Sequence, residues 1–177
     1  LLILGLLFGY ATNAIVNILM HFSIAERIHV YVSWTFGSFG GTTWSRLAIF
    51  IPVVLTVLLA TLLSSKPLNG LLLGESYARS MGLHVRRARG LSIVTTSLLT
   101  GTVTAFCGPI GFLGVAVPHL ARSLFGTSNH RVLLPAAAIC GAIVALFSDL
   151  IAQLPGSQTV LPLNAVTALI GAPVVGW

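Results

Sequence analysis

Charge is scarce in this sequence. Only 7% of its 177 residues are charged, and three are acids: Glu26, Glu75 and Asp149. A soluble domain carries about 25% charged residues, so there is too little charge here to coat a water-soluble globule of this length. Cysteine is almost as rare. Cys107 and Cys140 both sit in apolar surroundings, with no CxxC pair and no metal-type spacing. That argues against a disulfide scaffold or a zinc site and leaves small helix-packing residues as their expected role. No GxxxxGK(S/T) occurs, so the chain should not bind ATP through a P-loop. HExxH and GxSxG are missing too, which removes two recognisable hydrolase patterns. No cofactor and no metal site is expected. The first twenty residues lack a basic leading segment, so they do not read as a signal peptide.

What fills the sequence instead is apolar length. Hydrophobic residues make up 56%, and the mean hydropathy is +1.00. Stretches free of charge cover residues 1–25, 47–65, 90–121, 132–148 and 150–177, and runs of about 20 apolar residues are membrane-span candidates. The expected fold class is therefore all-α: a polytopic transmembrane helical bundle, one domain over residues 1–177 with about five spans.

Residues 1–21 are long enough to span, with Gly5, Gly9, Ala11 and Ala14 as a small-residue packing face. Residues 22–44 read as a short interfacial helix ending in a glycine turn, with Tyr31, Trp34 and Trp44 suited to the headgroup belt. Residues 47–65 form the cleanest span, about 28 Å of helix against a hydrocarbon core of about 30 Å, with Pro52 near its start. Residues 90–106 form a span rich in Ser and Thr, most of which are expected to bond within or between helices. Cys107-Gly108-Pro109 turns the chain sharply. Residues 110–125 return as a short apolar segment that carries Pro118-His119 and Arg122. Residues 132–148 span again, bracketed by Arg131 and Asp149 about 27 Å apart along a helix, hence at opposite interfaces. The stretch from Leu161-Pro162 to Gly171-Ala172-Pro173 reads as a short broken helix, with a further span beyond Trp177. Leu1 is not a start methionine, so a fragment of a longer chain is expected.

Residues 66–89, KPLNGLLLGESYARSMGLHVRRAR, are the exception to all this. They hold Lys66, Arg79, Arg86, Arg87 and Arg89 against the single acid Glu75. Pro67 is expected to stop the preceding helix, and residues 68–73 to form a short helical turn broken at Gly74. Glu75 then opens a second short helix running to Met81, with the acid against the positive helix end and Gly82 closing it in the left-handed region. Glu75 and Arg79 are four apart with the acid first, the favourable order. Tyr77 and Met81 share an apolar ridge. A short capped helix of this kind fits a partner's groove; an ordinary orienting loop is the other reading. Alternating spans from this loop put residues 66–89 and 122–131 inside with seven basic residues, against Arg27 and Arg46 outside, in line with the positive-inside rule. The basic residues lie at the ends of apolar runs, so they point to membrane topology and not to nucleic acid.

Two further residues are chemical candidates. His119 fits catalysis or metal binding, but a lone histidine near an interface is more often structural. Asp149 fits a proton relay, but it stands at a span end with no evident partner. An intramembrane enzyme using His119 or Asp149, and an ATP-independent transporter or channel, remain alternatives to the reading that follows.

Leu73-Gly74-Glu75, then Ala78, then Gly82-Leu83, resembles the cytoplasmic coupling loop of the type II ABC importer permeases, the FecCD-like family of iron-siderophore, haem and cobalamin uptake. Gly108-Pro109-Ile110-Gly111-Phe112-Leu113-Gly114, followed by Pro118-His119 and Arg122, looks like that family's most recognisable segment. His130-Arg131-Val132-Leu133-Leu134-Pro135 is similar to its Asp-His-Arg-x-Leu-Leu-Pro, with Asn129 in place of the Asp. Leu161-Pro162, Thr167-Ala168 and Gly171-Ala172-Pro173 match the segment before its last helix. The resemblance covers nearly the whole chain, in order.

The resemblance implies roughly the second half of a ten-helix permease, spans five to nine, within an inverted repeat. It implies a bacterial cytoplasmic (inner) membrane protein that is a transport permease and not an enzyme. The cargo would be an iron chelate (siderophore or haem) or cobalamin. The implied partners are a separate ABC ATPase, a second permease subunit in a homodimer, and an extracytoplasmic substrate-binding protein. Leu73, Gly74, Glu75, Ala78, Arg79 and Gly82 would be the ATPase-coupling residues. On the outer face the family often has Ala-Arg after Asp149, where an acidic lobe of the binding protein docks. This chain has Ala152-Gln153, so one docking contact is expected to be weaker at Gln153: Arg27 or Arg46 supplies the charge, or the binding protein lacks its acid at that lobe, or docking rests on polar and apolar contact alone. Asn164, where a glycine is common, is a milder departure.

Overall fold

The computed structural model describes residues 2–153 and 161–175, and every element in them is a helix. Leu1 and the sequence around Trp177, where a further span is expected, lie outside the described residues. The chain divides into two compact units, residues 1–35 and 36–177.

The first unit holds α1 (Leu2–His21) and α2 (Ala25–Thr35). The Ser23 hydroxyl donates to the Leu19 carbonyl at 2.7 Å, and its N–H donates to that of Met20 at 3.1 Å, so two carbonyls at the end of α1 are satisfied as the chain turns. A Cβ at Gly5 or Gly9 would meet nothing within 4 Å. The small-residue face expected on α1 is therefore uncovered within the first unit.

The second unit holds α3 (Trp44–Leu63), α4 (Ser65–Leu72), α5 (Glu75–Ser80), α6 (Val85–Cys107), α7 (Gly111–Phe125), α8 (His130–Ala152) and α9 (Leu163–Val175). Across both units, four of the described helices, α1, α3, α6 and α8, have the length and composition to cross a bilayer; α7 and α9 are shorter apolar helices.

Several boundaries differ from the sequence expectation. Helix α3 begins at Trp44, so Pro52 lies inside it and not near its start. The Thr56 hydroxyl donates back to the Pro52 carbonyl at 2.8 Å. Helix α3 ends at Leu63 without help from Pro67, through a junction at Ser64 whose N–H and hydroxyl both reach the Ala60 carbonyl. Pro67 falls in the first turn of α4, where its missing N–H has no intrahelical partner to lose. Helix α6 begins at Val85, so Arg86, Arg87 and Arg89 are helical and not part of a loop. Its Ser92 and Thr95 hydroxyls bond back to the carbonyls of Ala88 and Leu91, as expected of intramembrane hydroxyls. Helix α9 runs unbroken from Leu163 through Gly171, against the expected break. It packs on both α7 and α8.

Helices α7, α8 and α9 pack on one another, α3 lies on α6, and α4 reaches α8. The interior is thin and built from small residues. One cluster is Ala121, Leu133 and Ala136; the other is Ala152, Leu163 and Val166, backed by Ile110 and Ile170. No residue of the α3 span is buried. Wide apolar exposure with small residues at helix contacts is costly in water but natural in lipid, where close backbone approach drives packing.

The two ends of this unit have different chemistry. At one end the irregular segments hold each other: Ser38 N–H donates to the Cys107 carbonyl at 2.9 Å, Asn164 N–H to Phe36 at 3.1 Å, and the Asn164 side chain to the Pro109 carbonyl at 2.6 Å. Asn164 thus gives a bond that the glycine common in the family lacks. At the other end α4 meets the start of α8, bringing together the two basic segments that the sequence places on one side. Cys107 is buried and Cys140 half-buried, and neither is in a disulfide.

Candidate functional site

The basic end is organised by two glycines. Gly74 has φ 99° and ψ 153°, a region that essentially only glycine occupies. It allows α4 to stop at Leu72 and α5 to start at Glu75 in a new direction. A Cβ at Gly74 would meet nothing within 4 Å, so the requirement is backbone conformation and not space. Gly82 has φ 80°. Its N–H donates to the Arg79 carbonyl, and Leu83 N–H to the Ala78 carbonyl, both at 3.0 Å. Those two bonds make a Schellman closure of α5, in agreement with the left-handed role expected of Gly82.

Glu75 sits in the first turn of α5. Arg79 approaches it at 3.7 Å, and Arg89 on α6 forms a second ion pair with it. The second pair could not be read from local spacing, and it ties α5 to the base of α6. All three side chains are largely exposed, so the pairs orient more than they stabilise. Ala78 is fully buried, and a Cβ at Gly70 would lie 3.5 Å from Leu83 Cδ1. The opposite face stays open: Leu73, Tyr77 and Met81 are 64%, 51% and 61% exposed. An apolar ridge of this kind beside a basic rim suits a protein groove better than bulk water. Beside it lies a hollow of about 670 Å³ lined by Glu75, Arg79, His84, Arg86 and Arg87.

One part of this end was not legible in the sequence. Asn69 on α4 accepts the His130 N–H at 2.7 Å and faces His130 Nδ1 at 2.9 Å through the same oxygen. Its amide nitrogen donates to Asn129 Oδ1 at 2.7 Å. Asn129 caps α8, accepting the Arg131 N–H at 3.0 Å. The Asp-to-Asn departure at position 129 therefore keeps the capping oxygen. A capping residue ahead of an apolar helix is the signal that finds Asn129; nothing local marks Asn69.

The residues expected at the opposite end are divided between the two units. Arg46, in the first turn of α3, reaches the Gly41 carbonyl at 3.5 Å and is exposed. Gln153 ends α8 and donates to Asp149 at 2.7 Å. Arg27 belongs to α2 in the other unit. His119 is exposed on α7, while Asp149 stands in the last turn of α8 with its carboxylate held by Gln153. Among the described residues no three potential metal ligands come together.

A bundle of bare apolar helices with a helix–glycine–helix element at its basic end is the build of a multi-pass transport permease. The FecCD transport family model matches residues 1–177, and the chain belongs to that family. It is 41% identical to the vitamin B12 import system permease protein BtuC of Klebsiella pneumoniae, over all of this chain and 53% of that protein. It is 38% identical to the protein of the same name from Salmonella typhimurium, over all of this chain and 54% of that one. Among solved structures it is similar to an inward-facing metal-chelate type ABC transporter. That match has a TM-score of 0.90 and 34% identity, and covers 97% of this chain and 56% of the other. The chain thus spans about half the length of the curated relatives it matches.

Proposed function

We propose that this chain is part of the membrane permease of an ATP-driven importer in a bacterial cytoplasmic membrane, with residues 66–89 docking a separate ATPase. The observation that carries the reading is the Gly74-broken pair α4–α5. It displays an exposed apolar ridge and basic rim at the end where the basic segments gather, in a chain of the FecCD family. The cargo is a bulky metal chelate. Cobalamin is the cargo that relatives at 38–41% identity are named for, and an iron chelate is the second choice. A second permease subunit and an extracytoplasmic binding protein complete the machine.

The test uses the complete transporter in oriented membranes. Ser80→Cys should label with an impermeant thiol reagent from the ATPase side, and Ser38→Cys from the other side. Adding the ATPase should protect only Ser80→Cys. Labelling of both from one side, or no protection, removes the docking assignment.

Binding-protein docking on the opposite face is proposed at Gln153, with Arg46 or Arg27 supplying the positive charge. Because Gln153 stands four residues after Asp149, an arginine there would pair with Asp149 as well as with a partner's acid. Exposed pairs are worth about 0–1 kcal/mol and act mainly on association rate. Gln153→Arg should therefore quicken docking only modestly at low salt, with the gain lost at high salt, and Arg27→Ala or Arg46→Ala should slow it. Unchanged association rates for all three at low salt would remove them from the docking surface.

A further inference from the structure

We propose that Asn69 is the positioning residue through which the α4–α5 pair acts on α8. This rests on the reading of residues 66–89 as an ATPase-docking segment and adds the route by which docking reaches the bundle. The first N–H groups of any helix lack intrahelical acceptors and are normally satisfied by a local cap. In α8 the work is divided. Asn129 accepts from Arg131 N–H, but the His130 N–H is accepted by Asn69, 61 residues away on α4. The first turn of α8 is therefore complete only while α4 is in place.

The two amides can face only one way. Asn69 Oδ1 is fixed by a backbone N–H, and so is Asn129 Oδ1. The Asn69 nitrogen must then donate to Asn129, and His130 Nδ1 must carry the proton it presents to Asn69. Position 69 needs an acceptor and a donor on one short planar group, which asparagine supplies. An aspartate there keeps the acceptor and sets an oxygen against Asn129 Oδ1. Asn129 can relieve that contact only by turning its amide, which takes the acceptor away from Arg131 N–H. An aspartate at 129 keeps every bond. Helix α8 in turn packs on α7 and α9, so a displacement of α4 is handed to three helices at once.

The experiment uses the complete transporter with its ATPase and binding protein in proteoliposomes. It reads ATPase affinity, cargo moved per ATP hydrolysed, and amide exchange of residues 130–133 with and without the ATPase. In the wild type, docking should change exchange at residues 130–133. Asn69→Ala and Asn69→Asp should lose that response even at ATPase concentrations that saturate binding. Cargo per ATP should fall about tenfold, within the 5–150-fold span of ordinary coupling energies. Asn129→Asp should behave as wild type. An Asn69 variant that keeps either the exchange response or the cargo ratio overturns the proposal. If Asn69→Ala yields little assembled permease, Asn69→Asp, which preserves size and the His130 acceptor, decides on the same readouts. Failure of the wild type to bind any ATPase would instead overturn the docking reading itself.

Discussion

Gly171→Leu should leave little folded permease. Gly171 is buried on α9 where it crosses α7. A Cβ there would collide with the edge of the Phe112 ring and come within 3.2 Å of the Ala116 Cβ. The Phe112 ring ends a rotatable side chain and can swing aside, but Ala116 has no such freedom, because its Cβ moves only with α7 itself. Forcing extra carbons into a packed contact costs about 1–3 kcal/mol, and leucine brings four of them. The helices would have to part, with loss of the dispersion contacts that hold apolar helices together in lipid. Thermal unfolding of the reconstituted permease should show a clear drop for Gly171→Leu and a smaller one for Gly171→Ala. Equal midpoints for wild type and Gly171→Leu would mean that α7 and α9 do not meet at this glycine.

Gly74→Leu should do the reverse, sparing assembly and removing coupling. Nothing stands near its Cβ, so the bundle has no reason to unfold. The cost is the backbone: a side chain in this φ/ψ region is worth about 1–3 kcal/mol of strain. That is roughly a 5–150-fold loss of the bent form that presents α5. Gly74→Ala should be nearly as damaging, because it meets the same strain with almost no bulk. The measurements are ATPase affinity and cargo uptake in proteoliposomes. Wild-type uptake by Gly74→Leu would end the coupling assignment, and a mild Gly74→Ala beside a severe Gly74→Leu would show that size matters there after all.

Much of this could be read from residue order because each signal was local. Gly74 announced a helix break, Gly82 a left-handed closure, and Glu75 with Arg79 a helix start. Charge-free length announced the long helices. What the sequence concealed is what depends on distant partners. Arg89 reaches Glu75 only because α6 starts early, at Val85. Pro67 suggested a stop because a proline inside a helix is costly, yet the same residue is harmless in a first turn, and only the junction at Ser64 decides which case applies. Asn69 is an ordinary polar residue in its own segment; its role exists only when α8 is beside it.

The opposite end of the second unit imposes a constraint on movement. Residues 36–38, the turn at 107–109 and the start of α9 share their hydrogen bonds, each segment accepting or donating for another. Releasing any one of these bonds leaves a backbone carbonyl in search of a new donor. The end of α6, the start of α7 and the start of α9 are thereby knotted to residues 36–38, so none of these helix ends can shift without straining a bond held by another.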